Sequence, residues 1–295
     1  MQRIENISVY TKIKNICIMN FLKGITCFIL LCILILSSAC SDEDDSFSAV
    51  KSKHLPITIE SNGDISSTSV HYTYDTQNRL TNILKKESFY DNSMDDSEIR
   101  IEIIYDEQGK ISQMVRTLDT GDVNGLIQDT VSYYYHGLSI AVNQPSGATM
   151  IEQDTKGNVV SYRYNPDTEK KSQKVYFISE NYKYDGYGNI IQSRIVDQNG
   201  KIINDIAYTY DAYNGIFKDV NIPQWFLTTQ IKEVLNYENN YKEKKVIGNE
   251  GENLISVASY KYNNAGYPVS ESIYFKGYSL AIDIFPTHIK YKEVY

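Results

Sequence analysis

The sequence predicts an all-β protein: a large antiparallel up-and-down meander, curled into a barrel or half-barrel, with one short helical or irregular insertion. Three observations predict it. A turn motif, Tyr74-Asp75-Thr76-Gln77-Asn78-Arg79-Leu80, recurs in looser copies at Tyr105 to Ile111, Tyr184 to Ile190, Tyr210 to Ile216 and Tyr262 to Pro268, with tyrosine-free relatives at Gln153 to Val159 and Val196 to Ile202. The stretches entering these turns often read Tyr-x-Tyr. Roughly fifteen strand-like segments follow one another without βαβ alternation, more than the about ten that a twisted open sheet carries before it curls or splits.

The motif makes a hairpin for local reasons. Asp favours the first position of a type I turn because its carboxylate accepts from backbone N–H groups two residues on, and three residues later a Gly or Asn tolerates positive φ. The loop then closes in a Gly-type bulge, which sets Asp75 opposite Arg79, Asp106 opposite Lys110 and Asp197 opposite Lys201. One step further in, Tyr74 faces Leu80, Tyr105 faces Ile111 and Tyr184 faces Ile190, an aromatic beside an aliphatic. In Tyr72-Thr73-Tyr74, Tyr182-Lys183-Tyr184, Tyr208-Thr209-Tyr210 and Tyr260-Lys261-Tyr262 the rings share one face and the polar residues take the other. That is the pattern of an antiparallel sheet with one side on a core.

Along the body, Ile57-Thr58-Ile59 alternates and Asn62-Gly63 supplies a two-residue turn. Strands are expected at Val70 to Tyr74, Leu80 to Glu87, Ile99 to Tyr105, Ile111 to Leu118, Thr130 to His136, Leu138 to Asn143, Met150 to Asp154 and Val159 to Tyr164. Others follow at Lys174 to Tyr184, Ile190 to Val196, Lys201 to Tyr210, Leu254 to Tyr262, Val269 to Phe275 and Leu280 to Tyr291. The pattern breaks from Asn214 to Tyr237, where Pro223-Gln224-Trp225-Phe226 leads into Ile231, Val234 and Leu235, a helical stripe behind a proline. This segment holds the single Trp and is expected to plug or cap the curled sheet, with a binding lid as the alternative.

The N-terminus carries an address. Lys23 precedes an unbroken apolar run from Ile25 to Leu36, then Ser37-Ser38-Ala39-Cys40, which suits a signal peptide and is short for a membrane span. Residues 1–39 are the expected leader, with translation starting at Met19, residues 40–54 an acidic flexible tether, and 55–295 a single Tyr-rich domain. The leader resembles the bacterial lipoprotein lipobox, which implies lipidation of Cys40, although Ser37 stands where Leu is usual. The following Ser41-Asp42-Glu43-Asp44-Asp45 resembles the export signal of Bacteroidota lipoproteins, which implies an outer-membrane protein facing the cell exterior. As a charge run alone it is a solvated tether.

Two further resemblances concern the body. Tyr74 to Leu80 resembles the YD repeat of Rhs-type shell proteins, with Asn78 in place of the usual Gly. Residues 55–295 are similar to Bacteroidota lipoproteins of unknown function with a porin-like fold. The shared features are the leader, the Tyr-x-Tyr-Asp turns, and Tyr210-Asp211-Ala212-Tyr213-Asn214-Gly215-Ile216-Phe217 followed by a Trp. That resemblance implies a strongly curved antiparallel sheet and brings no activity with it. The girdled apolar bands of a membrane barrel are not seen in the sequence, so a soluble domain on a lipid tether is expected.

Composition narrows function. A hydrophobic content of 42% excludes wholesale disorder. Tyr is unusual, at 26 residues against 9 Phe and 1 Trp, and every buried phenol needs a hydrogen-bond partner. All four cysteines fall at or before Cys40, so the body has neither an internal disulfide nor a thiolate metal site. Removing residues 1–39 takes Arg3, Lys12, Lys14, Lys23 and Glu5, which leaves 25 basic and 36 acidic residues and a net charge of −11. Such a surface disfavours nucleic acid and anionic headgroups.

No phosphate loop, nucleophile elbow or zinc-binding helix is present, and His54, His71, His136 and His288 lack ligand spacing. The stretch Asp119 to Gly125 superficially resembles a calcium loop, but Thr120 and Val131 occupy ligand positions, so it reads as a polar surface loop. No catalytic residue, metal or cofactor is assigned.

The candidate ligand residues are Tyr182, Tyr208, Tyr260 and Trp225, whose rings could stack on sugars while the phenols bond their hydroxyls. The same tyrosines are explained by sheet packing, and both roles can hold if outer rings stay exposed. The expected function is a non-enzymatic surface lipoprotein, held to the membrane by the lipid on Cys40 and binding an extracellular glycan or peptide. The alternative is a structural or interaction subunit of an outer-membrane protein complex, with no small-molecule site. A hydrolase is the third reading.

Overall fold

The computed structural model describes residues 52–64, 66–90, 96–120, 125–145, 147–166, 178–197, 199–231, 237–247, 253–276 and 284–295. The leader, Cys40, most of the tether, the centre of the Asp119 to Gly125 loop, and Val234 and Leu235 lie outside the described residues. Ser52–Tyr295 forms one compact unit.

Sixteen strands follow in chain order: β1 (Lys53–Asn62), β2 (Ser66–Tyr74), β3 (Leu80–Phe89), β4 (Ser97–Tyr105), β5 (Ile111–Asp119), β6 (Leu126–His136), β7 (Ser139–Gln144), β8 (Gly147–Gln153), β9 (Val159–Pro166), β10 (Ile178–Tyr184), β11 (Ile190–Val196), β12 (Ile202–Tyr210), β13 (Tyr241–Ile247), β14 (Asn253–Tyr262), β15 (Pro268–Lys276) and β16 (Ile284–Val294). Each pairs antiparallel with its neighbours in sequence, and β1 pairs with β16 from Lys53 opposite Val294 to Ser61 opposite Thr287, so the barrel is closed. Closure removes the sheet edges that would otherwise template aggregation.

The turns at one rim follow the sequence expectation. Asn78, Gly109, Gly157, Gly188 and Gly266 all have positive φ, and Tyr74 pairs with Leu80, Tyr105 with Ile111 and Tyr184 with Ile190, each across a bulge. Asp75 accepts from the N–H groups of Gln77 and Arg79 and from the Arg79 guanidinium at 2.7 Å. Burial pushes this carboxyl up, but the bonds from Arg79 and Gln77 outweigh it and hold Asp75 below the usual carboxylate range.

Four expectations are corrected. Strand β13 was not foreseen, because its Lys242-Glu243-Lys244-Lys245 core hides the alternation. Strand β1 begins at Lys53, so the last two residues assigned to the tether belong to the sheet. The β1–β2 turn is wider than two residues: Asn62 pairs with Ser67, and the Gly63 N–H bonds the Ser66 carbonyl.

The fourth concerns Tyr210 to Ile216, which is half a hairpin. Tyr210 pairs with Tyr241, and Asp211 exchanges bonds with Asn240: its N–H to the Asn240 carbonyl at 2.9 Å, and the Asn240 N–H to its Oδ1 at 3.2 Å. Asn158 and Asn189 make the same bonds to Asp154 and Asp185 in ordinary turns. Residues 212–239 are therefore spliced into a Tyr-Asp turn whose closing bonds survive.

The spliced segment is a plug. It contains one helical turn, α1 (Gln224–Phe226), continued as a π-helical turn over Leu227–Ile231. Ile216, Phe217, Val220, Ile222, Trp225, Phe226 and Leu227 are buried in one cluster with inward residues of the wall. Polar bonds sew it to the rim. The Asn221 N–H reaches the Asn78 carbonyl, Gln224 Nε2 the Gly188 carbonyl at 3.0 Å, and Asn214 Nδ2 the Ala265 carbonyl at 2.9 Å. Asp219 Oδ2 accepts from the His54 N–H at 2.7 Å and from the Tyr267 hydroxyl.

A second device ties the same rim. No turn joins β3 to β4 there, nor any other odd strand to the even strand that follows it. Instead the terminal tyrosine of the even strand donates its hydroxyl to a carbonyl at the start of the odd strand before it. Tyr74 bonds Pro56, Tyr105 bonds Leu80, Tyr135 bonds Ile111, Tyr184 bonds Val159, Tyr210 bonds Ile190 and Tyr291 bonds Pro268, at 2.7 to 3.0 Å. On β14 the penultimate aromatic, Tyr260, bonds Tyr241 instead, because the Tyr262 hydroxyl is taken by Asp211. A tyrosine girdle thus links hairpin to hairpin, each bond contributing about 1 kcal/mol net.

Candidate functional site

The lumen is the concave region that the fold creates, and it is filled unevenly. From β1 to β9 the inward side chains, among them Leu80, Ile111, Tyr133, Ile140 and Ile151, pack in one cluster with the plug. Among the described residues, strands β10 to β15 contribute no fully buried member of that cluster, and only Tyr182 on β10 packs against it. Along β13 to β16 and β1 to β3 a cavity of about 550 Å³ remains, with Ile216 and Phe217 of the plug in its lining.

Parity of the strands decides what lines it. Lys244 shares its face with Val246 and pairs with Tyr208 and Ser256, both buried. Lys85 pairs with inward Val70, and Glu271 pairs with Tyr260. The lining is therefore mostly apolar, with Ile59, Val246, Leu254, Ile273 and Phe275, and it carries three charged groups, Lys85, Lys244 and Glu271. Hydroxyls of Ser61, Thr68, Ser256 and Thr287 are interspersed. Glu271 Oε1 accepts from the Tyr260 hydroxyl at 2.9 Å.

The sequence candidates are distributed around this space rather than gathered in it. Tyr260 stands at its border, its hydroxyl shared between Glu271 and the Tyr241 carbonyl. Tyr208 is 8% exposed on the inward face, and burial pushes its phenol above the usual range. Tyr182 lies two strands further round, its phenol raised by burial and then by the neighbouring Glu180. Trp225 is 3% exposed and packs edge-on against Tyr133 at 5.2 Å and Phe226 at 5.6 Å. Its ring is part of the plug's core rather than an open stacking surface. Lys85, Lys244 and Glu271 were missed. Extending the inward parity of Ile83 by two residues finds Lys85, whereas Lys244 sits on the strand that its own charge concealed.

The outer wall differs in kind. Arg194 pairs with Asp205 at 2.7 Å, Arg163 with Glu152 at 2.7 Å and Lys86 with Glu98 at 3.1 Å, each across neighbouring strands, and Lys276 on β15 reaches Glu243 on β13 at 2.8 Å. Arg116 and Asp129 also pair, but on the inward face that they share with Met114 and Val131. Among the described residues, no group of three or more His, Cys, Asp or Glu is placed to hold a metal ion.

No family model matches the chain, and no curated protein does either. Among solved structures it is similar to a porin-like protein from Bacteroides uniformis, at 14% identity and a TM-score of 0.43 over 75% of this chain and 100% of that one. It is also similar to a porin-like protein from Bacteroides vulgatus, at 10% identity and a TM-score of 0.39 over 81% of this chain and 99% of that one.

Proposed function

We propose that the protein is an outer-membrane lipoprotein, acylated at Cys40 and facing the cell exterior. In this reading its barrel stands in water as a cup, closed at one rim, that holds an extracellular ligand without transforming it. One observation carries the reading: the plug fills the lumen on one side and leaves about 550 Å³ on the other, lined by apolar side chains with a few converging polar groups. Binding cavities have that size and character.

The cross-strand ion pairs on the outer wall support a water-facing barrel, since a charge aimed at lipid costs about 2 to 4 kcal/mol at the bilayer midplane. The run from Ile25 to Leu36 ahead of Cys40 supports the anchor. The ligand expected is a glycan or a peptide.

The test uses the fragment 46–295, which contains the whole closed sheet. Its melting temperature is followed against panels of oligosaccharides and peptides, with Ser256→Trp as a lumen-filling control. A ligand that raises the melting temperature of the parent and not of the variant supports the cup. A partner protein that co-purifies equally with parent and variant supports the structural-subunit alternative instead.

A further inference from the structure

We propose that the protein carries a second site, outside the lumen, for a neutral, hydroxyl-rich glycan: a cleft of the closed rim between the β8–β9 and β10–β11 turns, with the Tyr187 ring as its stacking platform. The cleft measures about 540 Å³, and the plug borders it from Ile222 to Trp225. It shares no lining residue with the lumen cavity, so it stands or falls apart from the cup.

The platform is the residue that the turn itself does not explain. In each closed turn of this rim the third loop residue gives its N–H to the side chain of the first: Gln77 to Asp75, Gln108 to Asp106, Lys156 to Asp154, Tyr187 to Asp185 and Ala265 to Asn263, all at 2.8 to 3.0 Å. The backbone makes that bond whatever the side chain is. Four of these turns accordingly carry a polar or small group there, and the β10–β11 turn instead puts out a tyrosine ring that is 81% exposed. No ring or hydrogen-bond partner among the described residues holds the ring. It lines the cleft on one side and a second cleft, along β11 and β12, on the other. A ring with an apolar face and a polar tip suits an interface, and the C–H face of a sugar can lie on it.

The second observation is a set of pinned amides. Gln153 Nε2 donates to the Gly157 carbonyl at 2.7 Å, Asn158 Nδ2 to Asp154 Oδ2 at 2.9 Å and Gln224 Nε2 to the Gly188 carbonyl at 3.0 Å. Each partner only accepts, so the nitrogen is necessarily the bonded end. The three amide oxygens accept no bond among the described residues and, unlike the buried orphan oxygens of Asp129 and Asn240, are open to solvent. All three residues line this one cleft. Acceptors already fixed in place lose little entropy when a ligand arrives.

Fixed acceptors select a ligand rich in donors. A hydroxyl both donates and accepts, so it can also satisfy the Lys156 ammonium at the cleft's edge. A peptide strand would bring a carbonyl for every N–H, whereas the N–H groups of these turns are already spent on Asp154 and Asp185. Lys156 faces Asp185 and Glu238 in the same lining, so no excess of positive charge draws an acidic polymer.

Affinity electrophoresis of the 46–295 fragment tests the proposal, in native gels that contain starch, xylan, mannan, galactan or the acidic polygalacturonate. At least one neutral polymer is expected to retard the parent. Tyr187→Ala is expected to weaken that retardation at least about ten-fold and Tyr187→Phe to preserve it, both with the thermal transition unchanged. Gln153→Met, which keeps the chain length and loses the amide, is expected to weaken it about five-fold, the strength of one hydrogen bond. Gln108→Ala, at the position of Tyr187 in another turn, and the lumen-filling Ser256→Trp are expected to change nothing.

Retardation by no neutral polymer overturns the proposal, as does retardation by polygalacturonate alone. Retardation that Tyr187→Ala leaves intact and Ser256→Trp removes places the sugar in the lumen, which overturns the rim site and supports the cup. Retardation lost in Tyr187→Ala and kept in Ser256→Trp supports the rim site, whatever the oligosaccharide and peptide panels find for the cup.

Discussion

The two sides of the lumen are made of the same strands and the same turns, yet one is a core and the other a cavity. On the filled side Tyr133 meets Trp225 and Phe226 at 5.2 and 6.0 Å, and Ile111, Ile140 and Ile151 are fully buried. On the hollow side the equivalent inward positions hold Lys244, Ser256 and Glu271. A barrel of sixteen strands is too wide for its own side chains to fill, so a second element must supply the missing volume. The plug does so where it leans and nowhere else. The wall sequence matches this division, apolar where the plug makes contact and mixed where it does not.

The comparison can be broken most directly by emptying each side in turn. Phe226→Ala, at a fully buried ring, is expected to lower stability by about 3 to 5 kcal/mol, whereas Ile273→Ala, beside existing space, should cost well under half as much. Equal losses in urea unfolding would show that the hollow side is packed in solution. Next in size is the splice that holds the plug. Asn240→Ala keeps the backbone bonds to Asp211 but removes the side-chain Nδ2 bonds to Asp211 Oδ2 at 3.4 Å and to the Asn214 carbonyl at 2.9 Å, at about 1 to 3 kcal/mol. The emission of Trp225 should shift to the red if the plug loosens before the wall unfolds.

The girdle should respond more weakly, because each member is one hydrogen bond. Tyr184→Phe is expected to cost about 1 kcal/mol, against nothing measurable for Tyr187→Phe, whose ring is 81% exposed. The girdle phenols also set alkaline behaviour. Burial raises the phenols of Tyr74, Tyr135, Tyr184, Tyr210 and Tyr291, and pushes Tyr105 up to about 12. The unfolded chain ionises first, near about 10. Stability is therefore complete below that pH and declines as pH rises toward the folded values, and the girdle's share of the phenolate absorbance should appear together with unfolding rather than ahead of it.

The smallest effect is at acid pH. In Asp154 and Asp185 burial raises the carboxyl, but hydrogen bonds from Asn158 and Asn189 prevail and hold it low. Their contribution is present above the ordinary carboxylate range, about 3.9, and is lost as pH falls through the depressed folded values. Asp185→Asn should flatten the acid limb of the pH–stability curve.

Turns and register were legible because their causes are local. Asp75, Asn78 and Arg79 write one loop among themselves, and Tyr74 and Leu80 follow from its bulge. What escaped depends on closure. The hydroxyl of Tyr105 finds the Leu80 carbonyl only because β3 and β4 are sheared to a particular offset in the closed barrel. Asn240 completes a turn begun at Asp211 across the whole plug, a pairing no window of sequence displays. Strand β13 escaped for a different reason: the alternation of oily and polar residues that reveals a strand fails where a lysine, Lys244, takes an inward position between outward-facing Glu243 and Lys245. The cavity depends on which side the plug favours, and nothing in any single strand records that.

The seam between β1 and β16 makes completion of the chain a condition of its enclosure. Until Val294 has been released to meet Lys53, the curved sheet has two raw lips, each about ten residues long and each complementary to the other. Any second molecule paused at the same stage presents matching lips, and strand addition between molecules is then as favourable as within one. Concentrated refolding should therefore yield exchanged pairs, each molecule's last strand filling its fellow's gap, and dilution should restore the self-closed ring.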